Sequence, residues 1–172
     1  MVRTVVISPF CDQAKEELAA FPHASVTCRA VSTKDELTLH HHIRHAVFVE
    51  EQRFFEPNDR DEHDDDPTTI NVLGLCGRVA AGAVRLYPLQ DPGLWKGDRL
   101  CVLPRFRKRG LAAPLVRFAV RTAGERGGQR MLAHVQLQNV PFFVRLGWNA
   151  IGRPSEYVGH LHQMMAIDLT AM

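Results

Sequence analysis

No run of apolar residues in this chain approaches the length of a membrane-spanning helix. The opening "MVRTVVISPF" holds one positive charge and too short an apolar stretch for a secretory leader, so a cytoplasmic protein is expected. There is no C-x-x-C pair. The four cysteines (Cys11, Cys28, Cys76, Cys101) are scattered, which argues against a zinc ribbon or a disulfide framework and leaves buried or half-buried thiols. There is no H-E-x-x-H, no G-x-x-x-x-G-K-[ST] phosphate loop, no internal repeat and no long low-complexity tract. Net charge is also scarce, at +2 over 172 residues, so overall charge names no partner.

The charge that is present is unevenly placed. "EPNDRDEHDDD" (56–66) holds seven acidic residues against one arginine, whereas residues 100–130 hold eight Lys and Arg against one glutamate. The length suits one domain with a real core, over 26–172, preceded by an N-terminal appendage, 1–25, in which "RTVVIS" reads as a strand and "DQAKEELAAF" as a short helix. "SVTCRAV" reads as a strand. Ser32 or Thr33 then caps a helix, with Glu36 near its third position and a broken apolar stripe at Leu37, Ile43, Val47 and Phe48. The acidic segment has no periodicity and reads as a surface loop. "TINVLGL" and "RVAAGAVRLY" form a hairpin about Gly77; "PLQDPGLWKG" reads as a loop and "DRLCVL" as a short strand. "LAAPLVRFAVRTAGERGG" is a helix starting at Arg109 to Leu111, because Pro114 fits only a first turn. "RMLAHVQL" is a strand, "NVPFFVRLG" a short helix with Asn139 as cap, and "WNAIG" and "HQMMAIDL" the last strands. The order predicts an α/β or α+β domain with a mixed sheet.

"RFRKRGLAAP" sits between a strand and a helix. A helix N-terminus offers unpaired amides and a positive dipole end, and a glycine turn can aim those amides at one small anion. The basic run stops at once before an apolar-faced helix, unlike the wide stripe of a nucleic-acid surface, so nucleic acid is not the expected partner. Arg107-Lys108-Arg109-Gly110-Leu111-Ala112 resembles the R/Q-x-x-G-x-G/A loop of the GNAT acyltransferases. "LCVLP" is similar to the strand before that loop, and "QNVPFFVRLGW" to the family's N-x-x-A-x-x-F-Y-x-x-x-G-F helix. "RHAVFVEEQ", "DRDEHD", "GAVRLYP" and "EYVGHLHQMMAIDL" resemble an ElaA-like branch, and "PGLWKGDRL" with "QNVPFF" resembles a bacterial subgroup associated with nitrilase-type gene clusters. The likeness runs from residue 26 to 169.

That resemblance implies a GNAT fold, a central mixed, mostly antiparallel, splayed sheet flanked by helices. It implies an N-acetyltransferase with acetyl-coenzyme A as donor and a small-molecule amine as acceptor, no metal and no membrane partner; a homodimer stays open. The strands "DRLCVL" and "RMLAHVQL" would part around the pantetheine arm. Cys101, Val102 and Leu103 would pair with it, and the amides of Arg107, Lys108, Arg109, Gly110, Leu111, Ala112 and Ala113 would hold the pyrophosphate. An N–H near Val102 would polarise the thioester. Asn139, Phe142 and Phe143 would line the far side. The chain departs from the family where Phe143 replaces a tyrosine that often serves as general acid. Tyr157 or a histidine substitutes, or the thiolate leaves unaided, or the protein binds acyl-coenzyme A without turnover.

Candidates for the base are His134, His162, Glu156 and Asp98, each with a plain structural role as the alternative. Arg85 stands on an otherwise small apolar face with Val79, Ala81 and Ala83; it needs a substrate carboxylate or a structural partner such as Asp61 or Asp64. Arg44 has the same choice. Arg44, Phe48, the acidic loop and Arg85 also resemble acyl-homoserine lactone synthases, which share the fold but lack the R-x-x-G-x-G/A loop. "HHHIRH" reads as a polar helix face ahead of a metal site.

Overall fold

The computed structural model describes residues 25–169. The expected appendage, apart from Ser25, and Cys11 lie outside the described residues. Seven strands form one sheet in the order β1-β2-β3-β4-β5-β7-β6. They are β1 (Val26–Ala30), β2 (Ile70–Cys76), β3 (Val79–Pro88), β4 (Leu94–Val102), β5 (Arg130–Gln136), β6 (Asn149–Tyr157) and β7 (His160–Asp168). Only β4 and β5 pair in parallel; every other neighbouring pair is antiparallel. The mixed, mostly antiparallel sheet agrees with the sequence reading.

Helices cover both faces. On one, α1 (Lys34–Arg44) starts where Thr33 is extended and its hydroxyl accepts the Glu36 N–H at 3.2 Å, while the Glu36 carboxylate accepts the Ser32 N–H at 2.8 Å. The helix then widens into a turn of π geometry over His45–Glu51, with Gln52 N–H donating to Val47 O and both Val47 and Phe48 buried. Ile43, Val47 and Phe48 pack on Leu73, Ala83 and Cys101. On the other face, α2 (Ala112–Glu125) buries Leu115, Val116, Ala119, Val120 and Ala123 against β1–β4, and the short α3 (Val140–Arg145) buries Phe143 in the same core. Gly82 lets α2 approach: a Cβ there would lie 2.9 Å from Leu115 Cδ1 and 2.9 Å from Cys101 O.

Four expectations change. β4 begins at Leu94, so "LWKG" is strand; Gly93 turns the chain at φ +76°, and Trp95 and Lys96 are buried where β4 pairs with both neighbours. α2 begins at Ala112, one residue after the expected range, because Pro104–Arg109 forms its own 3-10 turn anchored by the fully buried Phe106. The strand expected over "WNAIG" runs on to Tyr157, so that Glu156 and Tyr157 end β6. The acidic segment is not merely a solvated loop, since Asp59 and Asp64 are buried in it.

Candidate active site

β4 and β5 pair at Leu94–Arg130, Trp95–Met131 and Lys96–Leu132, and then part. The cause is a bulge in β4. Ala83 faces Cys101 and Arg85 faces Asp98, so Val84 alone opposes both Arg99 and Leu100, and Arg99 takes φ +51°. A bulge of this kind bends its strand, here away from β5. The gap opens into a cleft of about 850 Å³ counted to its mouth.

The two walls differ chemically. Alternation along β5 puts Met131, Ala133 and Val135 on the α2 side, where Val116, Ala119, Phe143 and Trp148 join them. The α1 side carries Phe48, Phe54, Asp98, His134, Tyr157 and His162. His134 lies flat on Tyr157 at 4.0 Å between ring centroids, and His162 meets the Tyr157 ring edge-on at 5.4 Å. Where the strands part, Lys96 Nζ lies 2.5 Å from His134 Nδ1. Burial pulls the Lys96 pKa down to about 8. Burial, helped by the Lys96 charge, pulls His134 down to about 4.

Beyond the open ends of these strands lies the basic turn. Gly110 adopts φ +74°, in the left-handed region that glycine tolerates best, and a Cβ there would meet nothing within 4 Å. Leu111, fully buried, pins the start of α2 beneath it. The start of a 14-residue helix, with no side-chain cap on its first-turn amides, therefore adjoins open space at Gly110 beside Arg107, Lys108 and Arg109. The Arg107 guanidinium donates to Val102 O at 3.1 Å and to Glu51 at 2.8 and 2.6 Å.

Arg44 and Arg85, both fully buried, are fixed by carboxylates. Arg44 donates to Asp59 and Asp64, and Arg85 grips Asp61 at 2.6 and 2.8 Å and Asp98 at 2.8 Å twice. Arg99 joins Asp59 and Asp61. Burial alone would raise the Asp61 and Asp64 pKa values. Hydrogen bonds from Arg85 to Asp61, and at Asp64 the close approach of His41 with hydrogen bonds from Arg44, outweigh burial and hold both below the usual carboxylate range. "HHHIRH" is not a uniform polar face either. His40 is fully buried with Nε2 3.2 Å from Val84 O, and His41 lies 3.4 Å from Asp64. Among the described residues, no group of three or more His, Cys, Asp and Glu is arranged to hold a metal, and no helix is long and apolar enough to cross a membrane.

Of the residues singled out from sequence, the cleft brings together Phe48, Asp98, His134, Asn139, Phe143, Tyr157 and His162. Glu156 is exposed on the edge strand, and Asp98 is engaged by Arg85. Phe142 packs edge-on against Phe143 at 5.5 Å. Cys101 is buried on the α1 side, and burial pushes its thiol up to about 12. Sequence reasoning missed Lys96, Gly97, Phe54 and Trp148. Pro92 and Gly93 made the stretch before Asp98 look like a loop; the alternation of Trp95, Gly97 and Lys96, Asp98 was the signal of a strand.

Residues 36–148 match the model of a family described as the acetyltransferase (GNAT) family. A Bacillus subtilis (strain 168) protein named as an acetyltransferase is 28% identical over 138 residues, covering 80% of this chain and 92% of its own. Among solved structures, Escherichia coli ElaA superposes with a TM-score of 0.73 at 19% identity, covering 83% of this chain and 99% of that one. The CoA-dependent acyl-homoserine lactone synthase BjaI does so with a TM-score of 0.72 at 23% identity, covering 84% of each chain.

Proposed function

Because the chain belongs to the acetyltransferase (GNAT) family and is an acyltransferase, we propose that it moves an acetyl group from acetyl-coenzyme A to the amine of a small molecule. One observation carries this reading: β4 and β5 pair at only three positions and then part, and β4 continues from there into the turn at Gly110. A pantetheine arm fits such a gap, with the backbone of Cys101, Val102 and Leu103 along it and Asn139, Phe142 and Phe143 opposite. The pyrophosphate would rest on amides from Arg107 to Ala113, and Arg107 would exchange Glu51 for it.

The amine attacks the thioester carbonyl directly from the α1 side, between Phe48, Phe54 and Tyr157. A main-chain N–H near Val102 supports the oxyanion. We assign Arg44, Arg85, Asp61 and Asp64 to holding the wall of that chamber, since their charges satisfy one another. His134 and His162 remain the titratable groups nearest the reacting atoms, and Tyr157 orients both. A second reading, binding without turnover, draws on the absence of a phenol at Phe143.

Calorimetric titration with acetyl-coenzyme A, on the wild type and on Gly110→Glu, tests the donor site. Micromolar binding that the variant loses is the expected result; no binding to the wild type overturns the assignment. Thiol release that requires an added amine separates transfer from mere binding.

A further inference from the structure

The α2-side wall of the cleft offers no proton to a departing thiolate. Its side chains are apolar apart from Asn139, and neither the Asn139 amide nor the Trp148 Nε1–H, buried without a protein partner, titrates. On the α1 side, Asp98 is tied to Arg85. The Lys96–His134 contact is different in kind. The two nitrogens lie within hydrogen-bond reach, and a lysine ammonium has only donors to offer. The neutral imidazole must then accept at Nδ1, which puts its own ring proton on Nε2, on the side away from Lys96. Stacking on Tyr157 fixes the ring plane.

Resting on the acyl-coenzyme A reading above, we infer that His134 protonates the leaving sulfur through Nε2 and that Lys96 is the positioning residue that sets its tautomer and replaces its proton. As the amine nitrogen bonds to the carbonyl carbon, the C–S bond breaks and its electron pair goes to sulfur. The sulfur takes the Nε2 proton, and Nδ1 takes a proton from the Lys96 ammonium. The surplus proton on the new amide nitrogen leaves to water, water returns a proton to Nε2, and Nδ1 hands its proton back to Lys96. The pair thereby supplies what Phe143 lacks.

The charge balance around Lys96 suits this task. Tyr87 of β3 lies across from it, Asp98 and Arg99 stand on its own strand, and His134 of β5 and Tyr157 of β6 close it in, with His162 of β7 against the Tyr157 ring. With Lys96 near 8 and His134 near 4, the pair holds one transferable proton through neutral pH. It gives that proton up close to the pH at which an ordinary thiol, at about 8.5, takes one. A pair serving as base would need the opposite charge state.

The test uses coenzyme A itself, the thiol product, with the whole protein. Thiolate absorbance is followed against pH for the bound thiol on the wild type, Lys96→Met and His134→Phe. On the wild type the bound thiol should ionise more readily than free coenzyme A, about tenfold in its acid constant. Both variants should lose that advantage while still binding coenzyme A. A bound thiol that titrates like free coenzyme A on the wild type, or an advantage that survives Lys96→Met, overturns the proposal. Failure of the wild type to bind coenzyme A overturns the donor-site reading instead, and this one with it. Nitrogen-15 spectra of the His134 ring in the wild type need no variant. They should report the Nε2-protonated tautomer, and an Nδ1-protonated ring refutes the relay.

Discussion

Two groups of basic residues, alike in charge, fare in opposite ways. Arg44, Arg85 and Arg99 lie inside the protein among Asp59, Asp61, Asp64 and Asp98, with the first two fully buried. Arg105, Arg107 and Lys108 stand exposed around a glycine turn at a helix start. A buried guanidinium must have its charge answered within the fold, so its partners leave it no freedom to take a ligand. A basic side chain on a turn can trade a weak surface partner for an incoming anion at small cost. Position, and not residue type, separates scaffold from site.

The contrast breaks hardest at Arg85. Arg85→Met strips the nearly buried Asp98 of both its guanidinium hydrogen bonds and leaves the part-exposed Asp61 to Arg99 alone, and thermal or denaturant unfolding should show a loss of about 3 kcal/mol. A cluster replaced whole by well-packed apolar residues should lose far less.

Acid comes next. His40 is held to about 3 by burial. Its folded pKa lies below the unfolded value of about 6.5, so its contribution is complete above that pH and is lost as pH falls toward 3, by at most about 1.4 kcal/mol per unit. Asp61 and Asp64 extend the loss below about pH 4, since their folded values are depressed and their stabilisation vanishes as they protonate. Unfolding free energies measured between pH 7 and 3 should fall throughout that window. A flat profile would mean that the buried groups are free to ionise.

On the exposed side the effects separate. Gly110→Glu places a side chain at φ +74°, costing about 1 kcal/mol of stability, yet donor affinity should drop about a hundredfold. Smallest of all, Glu51→Gln frees Arg107 from a half-exposed pair; stability should move by less than about 1 kcal/mol, and donor affinity should rise slightly if at all.

The readable part of this molecule was what local chemistry dictates. The Thr33 cap, the hairpin about Gly77, the Gly110 turn and the Pro141 helix follow from short-range rules, and the parting of β4 from β5 followed from resemblance at the same turn. What escaped was set by distant partners. Asp59 and Arg99 are 40 residues apart, and no periodicity in the acidic segment shows that it folds inward. Lys96 and His134 are 38 apart, and their contact depends on which strand lies beside which. Arg85 showed its need for a partner through its small neighbours, but not which partner would answer.

The three residue pairs that join β4 to β5 also have a mechanical meaning. The sheet is two leaves, β1 to β4 and β5-β7-β6, hinged along that short seam. Beyond it the two leaves diverge, and β4 and β5 no longer pair. An extended guest that bonds to both strands would turn two leaves into one continuous plate. Its arrival should then be felt as stiffness well away from the guest itself, in slower amide exchange at the seam and along β7.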